Sequence, residues 1–186
     1  MGVTSGTWSS HGWWHRARRT PRTGGGLAAV LALLTRDRDG PAPIGQLLLC
    51  PMLDDRNNTF SSHQMAGIDT WDRTSSNRVA GAAGRPVRRR GPAALRGSRP
   101  RYGSVRATPA SIEVGSAETF RDEDVAYAHA IWQAGGQAEL HVWHGSFHGF
   151  DTIAPRAAIS QDARNARSRR LRRILTQSDA SSGPAC

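Results

Sequence analysis

Apolar positions along the chain group into alternating helix-like and strand-like stretches. Gly26 to Leu34 is apolar and rich in Ala and Leu, then passes into Thr35, Arg36, Asp37 and the breaker pair Gly40-Pro41. That pattern predicts a buried helix with a polar exit. Gln46 to Cys50 holds the continuous run Leu47-Leu48-Leu49 and stops at Pro51, which suits a strand covered on both faces, as in a parallel sheet. Ser111 to Gly115 predicts a second strand, with Ile112 and Val114 on one face. From about Thr119 to Ala134 a helix is predicted, its stripe formed by Phe120, Val125, Ala128, Ile131 and Trp132 and its end set by Gly135-Gly136. Glu139 to Trp143 predicts a third strand, with Leu140 and Val142 facing one way and His141 and Trp143 the other. A last helix, Pro155 to Leu175, begins with Pro near its first turn and gathers Arg toward its end, in agreement with the helix dipole. Strands alternating with helices imply right-handed crossovers and a parallel sheet, so the fold class is α/β.

Two windows break this order. Residues 1–26 contain Arg16, Arg18, Arg19 and Arg22, and residues 77–111 contain nine Arg, and neither window has an Asp or Glu. All 25 basic residues are Arg, and the net charge of +10 comes from these windows, because the rest of the chain is mildly acidic. Between Val79 and Arg106 the only sizeable apolar side chains are Val87, Leu95, Tyr102 and Val105. So little apolar surface cannot offset the entropy of ordering, and disorder is expected. The organisation expected is a disordered basic segment over 1–23, a partial domain over 24–175 interrupted by a basic low-complexity stretch at 77–107, and a tail over 176–186.

With 186 residues, 38% hydrophobic, the chain suits one domain and is too polar for a membrane protein. Its longest apolar run, Gly24 to Leu34, falls short of the roughly 20 residues a spanning helix needs, and Met1 to Thr23 lacks the apolar core of a signal peptide. A cytoplasmic location is the expectation. Cys50 and Cys186 form no spacing pattern, so neither a disulfide scaffold nor a Cys-based metal site is expected, and no cofactor is implied.

Four motifs occur in order: Gly24-Gly25-Gly26-Leu27-Ala28-Ala29; Gln46-Leu47-Leu48-Leu49-Cys50-Pro51-Met52-Leu53-Asp54; Glu113-Val114-Gly115-Ser116-Ala117-Glu118-Thr119-Phe120-Arg121-Asp122-Glu123; and Gly145-Ser146-Phe147-His148-Gly149-Phe150. The series resembles the C-terminal half of the hormone-sensitive-lipase-like α/β-hydrolases, esterases and lipases that act on carboxylic esters, over about residues 24–76 and 108–175. The resemblance implies an incomplete parallel sheet flanked by helices, a small-molecule ester as substrate, and acyl transfer by a Ser, His and acid triad.

By this resemblance Glu118 lies where the family places its acid, usually Asp, and His148 matches the general base. The nucleophile is missing. In the family a Ser sits in a G-x-S-x-G turn, and aligning Gly24-Gly25-Gly26-Leu27 with the end of that motif puts the position on Arg22. A guanidinium has no lone pair with which to attack an ester carbonyl. The H-G-G-G type oxyanion loop and the early central strands are also absent, so the strand around Leu47 to Leu49 is expected to keep an unpaired edge. The chain is therefore expected to be inactive as written.

The same residues admit plainer roles. Glu118 alone would read as a carboxylate at a helix N-terminus; with His148 in place, the triad acid is favoured. Asp122, Glu123 and Asp124 read as dipole partners on a solvated face. His141, His144 and His148 have a zinc-like H-x-x-H-x-x-x-H spacing, but on strand and loop they do not share one helix face, and no metal is expected. Ser146 has no Gly two residues after it and is not a nucleophile elbow.

Alternative functions come from the charge and the sheet edge. Arg88-Arg89-Arg90 with Trp8, Trp13 and Trp14 would suit a basic nucleic-acid or polyanion binder, although no nucleic-acid-binding motif appears. Weak polyanion binding is expected as a by-product of charge. A non-catalytic interaction module completed through the strand edge is a further alternative. Frame errors in a GC-rich gene would account for Arg without Lys and for the missing acids.

Overall fold

The computed structural model describes residues 24–41, 43–54, 56–72, 75–76 and 108–181. The expectations for 1–23, for 77–107, for Arg22 and for the Trp and Arg clusters above lie outside the described residues. Among the described residues these elements follow in order: α1 (Gly24–Asp37), β1 (Gln46–Leu49), α2 (Phe60–Gln64), β2 (Ala110–Gly115), α3 (Arg121–Gln133), β3 (Ala138–Trp143), α4 (Phe150–Ile153) and α5 (Ala158–Ser181). Each strand and long helix expected from the pattern is present. The last helix runs past Leu175 into what reads as tail, and the short helices α2 and α4 have no periodicity of their own to betray them.

The three strands form one parallel sheet in the order β1-β2-β3. Leu48 stands beside Ile112, and Ile112 beside Leu140. Central β2 is buried at every position. Because side chains alternate along a strand, β2 serves two layers. Ala110 and Ile112 join Leu48, Ala29 of α1 and Tyr127, Ala128 and Ile131 of α3 in the hydrophobic core. On the other face Glu113 meets Arg167 of α5. This three-layer arrangement, helices on both sides of a parallel sheet, is the one the α/β reading implies.

β3 is less buried than β2, with Val142 43% exposed, because nothing among the described residues pairs with its outer edge. At the opposite side β1 pairs only with β2 among the described residues. Beside it α1 leaves Leu27 and Leu31 exposed, as expected for a strand and helix at an incomplete sheet edge.

Two expectations are corrected. In α3 the inward face is Glu123, Asp124, Tyr127, Ala128, Ala130 and Ile131, whereas Val125 and Trp132 are exposed. The last two sit about 100° around the helix from Asp124 and Ile131, so the stripe read from the sequence was too wide. Asp122, Glu123 and Asp124 are accordingly no solvated face. Asp122 accepts from the Ser61 amide at 2.7 Å, and Glu123 Oε1 accepts from the amides of Leu53 at 2.6 Å and Asp54 at 3.3 Å. Asp124 is fully buried, and neither of its carboxylate oxygens has a hydrogen-bond partner among the described residues.

The Arg residues of α5 also do more than complement a dipole. Arg167, Arg170 and Arg173, three residues apart, share a face toward the sheet. Arg167 forks onto Glu113 at 3.2 and 3.0 Å and reaches Asp151 at 3.0 Å. Arg170 and Arg173 pair with Glu139 of β3. Among the described residues no helix is long and apolar enough to cross a membrane.

Candidate functional site

Parallel strands bring their C-terminal ends together, and here Gly115 of β2 stands beside Trp143 of β3. The turns that follow are held against each other by backbone bonds. The Ser116 amide donates to Trp143 O at 2.8 Å and the Ala117 amide to Ser146 O at 3.0 Å. The Gly145 amide donates to the Ser116 hydroxyl at 2.7 Å. Gly115 permits this approach, because a Cβ there would lie 2.1 Å from Ser146 O. Gly149, at φ 72°, turns the chain out of the second loop into α4.

The outcome is a buried pair. His148 Nδ1 lies 2.7 Å from Glu118 Oε1, with side-chain exposures of 4% and 0%. The second carboxylate oxygen of Glu118 accepts from the Gly115 amide at 2.9 Å. An ionised carboxylate can only accept, so it holds the ring proton on Nδ1 and leaves a lone pair on Nε2. Phe120 meets the imidazole edge-on at 5.5 Å between ring centroids, and Trp71 lies tilted at 5.9 Å.

Sequence reasoning missed the residues that hold this pair in place. Asp69 Oδ1 accepts from the His148 amide at 3.1 Å, while Oδ2 accepts from the Thr119 amide at 2.9 Å. One carboxylate thus ties together the loops that carry the acid and the imidazole. Thr70 donates its hydroxyl to His148 O at 2.6 Å, and Thr119 donates to Trp71 O at 2.8 Å. Asp69→Ala is expected to lower stability by about 1–3 kcal/mol, the cost of leaving partly buried amides without an acceptor. Urea denaturation measures it, and an unchanged midpoint would show that Asp69 ties nothing.

Cys50, immediately after β1, completes the surroundings. It is buried and held at φ 44°, a conformation uncommon for a residue with a side chain. Burial, helped by the Glu118 carboxylate, pushes its thiol well above the ordinary cysteine range. One ligand atom each from Cys50, Glu118 and His148 lies within 4.8 Å of the others. Nothing in the spacing of the two cysteines could have signalled this.

The α1 N-terminus comes to the same end of the sheet. A Cβ on Gly25 would lie 2.8 Å from the Pro51 Cβ, and one on Gly26 would lie 2.3 Å from Met52 O, so both glycines are needed for α1 to rest on the Pro51-Met52 backbone. Arg22, the aligned nucleophile position, is outside the described residues. Ser146 does not replace it: its hydroxyl is buried without a hydrogen-bond partner among the described residues. The three histidines part company, since His141 bonds Glu139 at 3.0 Å and stacks on Trp143, His144 is exposed, and His148 bonds Glu118.

Residues 23–152 match the sequence profile of a family described as having the alpha/beta hydrolase fold. Among solved structures the chain is similar to the esterase LipW from Mycobacterium marinum, at 30% identity and a TM-score of 0.68, covering 83% of this chain and 48% of that one. It is also similar to a bacterial heroin esterase, at 28% identity and a TM-score of 0.66, covering 83% and 50%. An esterase from the bacterial hormone-sensitive lipase family shares the fold at 23% identity and a TM-score of 0.62, covering 81% and 53%. The chain therefore spans about half the length of these structures. No curated protein matches it in sequence.

Proposed function

Because the chain belongs to the alpha/beta-hydrolase fold family, we propose that it carries the acid and base of a Ser-His-acid carboxylic-ester hydrolase without the nucleophile, and that alone it does not turn over esters. The observation that carries the reading is the 2.7 Å bond between His148 Nδ1 and Glu118 in a buried setting. In this reading Nε2 of His148 would take the proton from an attacking hydroxyl and return it to the leaving alcohol, while Glu118 orients the ring and stabilises the imidazolium formed between the two steps. The remaining requirement is an oxygen nucleophile beside donors for the developing oxyanion. Alignment puts Arg22 at the first of these, and no serine hydroxyl among the described residues bonds the His148 ring.

Glu in place of the more usual Asp fits the pair, since the longer side chain reaches Nδ1 while its other oxygen is held by the Gly115 amide. The substrate class belonging to this site is a small-molecule carboxylic ester. The +10 charge supports weak, salt-sensitive attraction to polyanions as an accompanying property.

A chromogenic p-nitrophenyl butyrate assay tests the proposal. The expected result is hydrolysis at the rate of buffer, unchanged in a His148→Ala variant. Turnover that is saturable and drops about 100-fold or more in His148→Ala, the usual contribution of a general base, would mean that the chain possesses a nucleophile after all.

A further inference from the structure

We propose that Cys50, Glu118 and His148 form a binding site for a thiophilic divalent cation of the zinc type. The three residues follow three adjacent strands, β1, β2 and β3, so the sheet itself brings a sulfur, a carboxylate oxygen and an imidazole nitrogen to one place. All three residues are buried, and their ligand atoms lie within 4.8 Å of one another. A tetrahedral centre with arms of about 2.0–2.3 Å holds its ligand atoms roughly 3.3–3.7 Å apart. The set therefore has to close slightly around the ion, and the 2.7 Å contact between Glu118 and His148 has to open by roughly 0.6–1.0 Å to reach that separation. Three protein ligands leave a fourth position for water, the arrangement of an open zinc site.

Charge and donor softness favour the same class of ion. A thiolate and a carboxylate neutralise a dication, and the imidazole binds in its neutral form, so the filled site carries no net charge in a buried setting. The thiol gives its proton to solvent as the sulfur–metal bond forms. When Nδ1 is the ligating nitrogen, the ring proton transfers to Nε2. The charged groups acting on Cys50 are acids, Glu118 and Asp124, and Asp124 is itself wholly buried with both oxygens unpartnered among the described residues. A sulfur ligand selects zinc, cobalt or cadmium over magnesium and calcium.

The inference does not rest on the ester-hydrolase reading, and its test does not use turnover. Cobalt(II) is titrated into the full-length, metal-free chain and followed by absorption. The expected result is one equivalent bound with visible bands of tetrahedral cobalt and a near-ultraviolet thiolate-to-cobalt band, both abolished by added zinc. The near-ultraviolet band should persist in Cys186→Ser and vanish in Cys50→Ser. Glu118→Gln should weaken cobalt binding by about 10-fold or more, at least the loss caused by removing a residue that only supports a ligand. Circular dichroism verifies that each variant is folded. Should Cys50→Ser not fold, His148→Gln supplies the second reading, with the thermal midpoint raised by zinc in the parent chain and unmoved in the variant. No thiolate band from the folded parent, or one that follows Cys186 instead of Cys50, overturns the proposal. So does a zinc-induced rise in midpoint that His148→Gln retains.

Discussion

Replacing Arg167 by Met is expected to cost about 3–5 kcal/mol of stability, the range for removing one partner of a buried ion pair. Glu113 lies in the central strand with its side chain 3% exposed, and both its oxygens are taken by the Arg167 fork. Without the guanidinium, a carboxylate remains between sheet and helix with no comparable donor. Asp151 loses its partner as well, but it is more exposed and matters less. The double variant Arg167→Met with Glu113→Gln should recover much of the loss, because the uncompensated charge is then gone. Urea denaturation of both variants decides the matter. A single-variant loss under about 1 kcal/mol, the value of a surface pair, would mean that the fork is ornamental.

The second large effect is a stability profile that runs against ordinary acid denaturation. Burial raises the Glu123 carboxyl from 4.5 to about 8, against the opposing pull of the Leu53 and Asp54 amides. Asp124 is pushed up in the same direction, again chiefly by burial. In the unfolded chain both groups release their protons near the usual carboxylate range, whereas the folded chain retains them to higher pH. The unfolded state therefore binds fewer protons across that interval, and folding stability falls as pH rises. For Glu123 the decline spans pH 4.5 to about 8 and levels off above. Asp124→Asn removes the ionisable group without changing the side chain's size. It should raise stability at pH 8 by about 2 kcal/mol or more, given the cost of a buried charge without partners, and have little effect at pH 4. Thermal midpoints of parent and variant across that range provide the check. Equal midpoints at pH 8 would show that Asp124 is solvated in solution.

Local pattern carried the framework of the fold. Leu47-Leu48-Leu49 is apolar on both faces of its strand, and Ile112 and Val114 give the Ser111–Gly115 segment one apolar face, so each was legible as a strand. Glu118 and His148 were legible only through the motifs around them, since an acid before a helix is otherwise unremarkable. What escaped reading depends on contacts between distant parts of the chain. Asp69 sits among residues without a motif, and its role arises from amides some 50 and 79 positions away. Glu123 and Asp124 look like acids at a helix start, and only the nearby Leu53-Asp54 backbone and the sheet show that they face inward. Arg167 looks like one more cation in an Arg-rich helix until Glu113, 54 positions earlier, is placed opposite it. Cys50 gained its neighbours in the same way, from strand order and not from spacing.

The bonds through Asp69, and those from Glu123 to the backbone after β1, give residues 24–72 and 108–181 a mutual grip that does not run through the connection between them. The imidazole and its carboxylate are thus aligned by bonds made directly between the two segments, with Asp69 as their shared anchor.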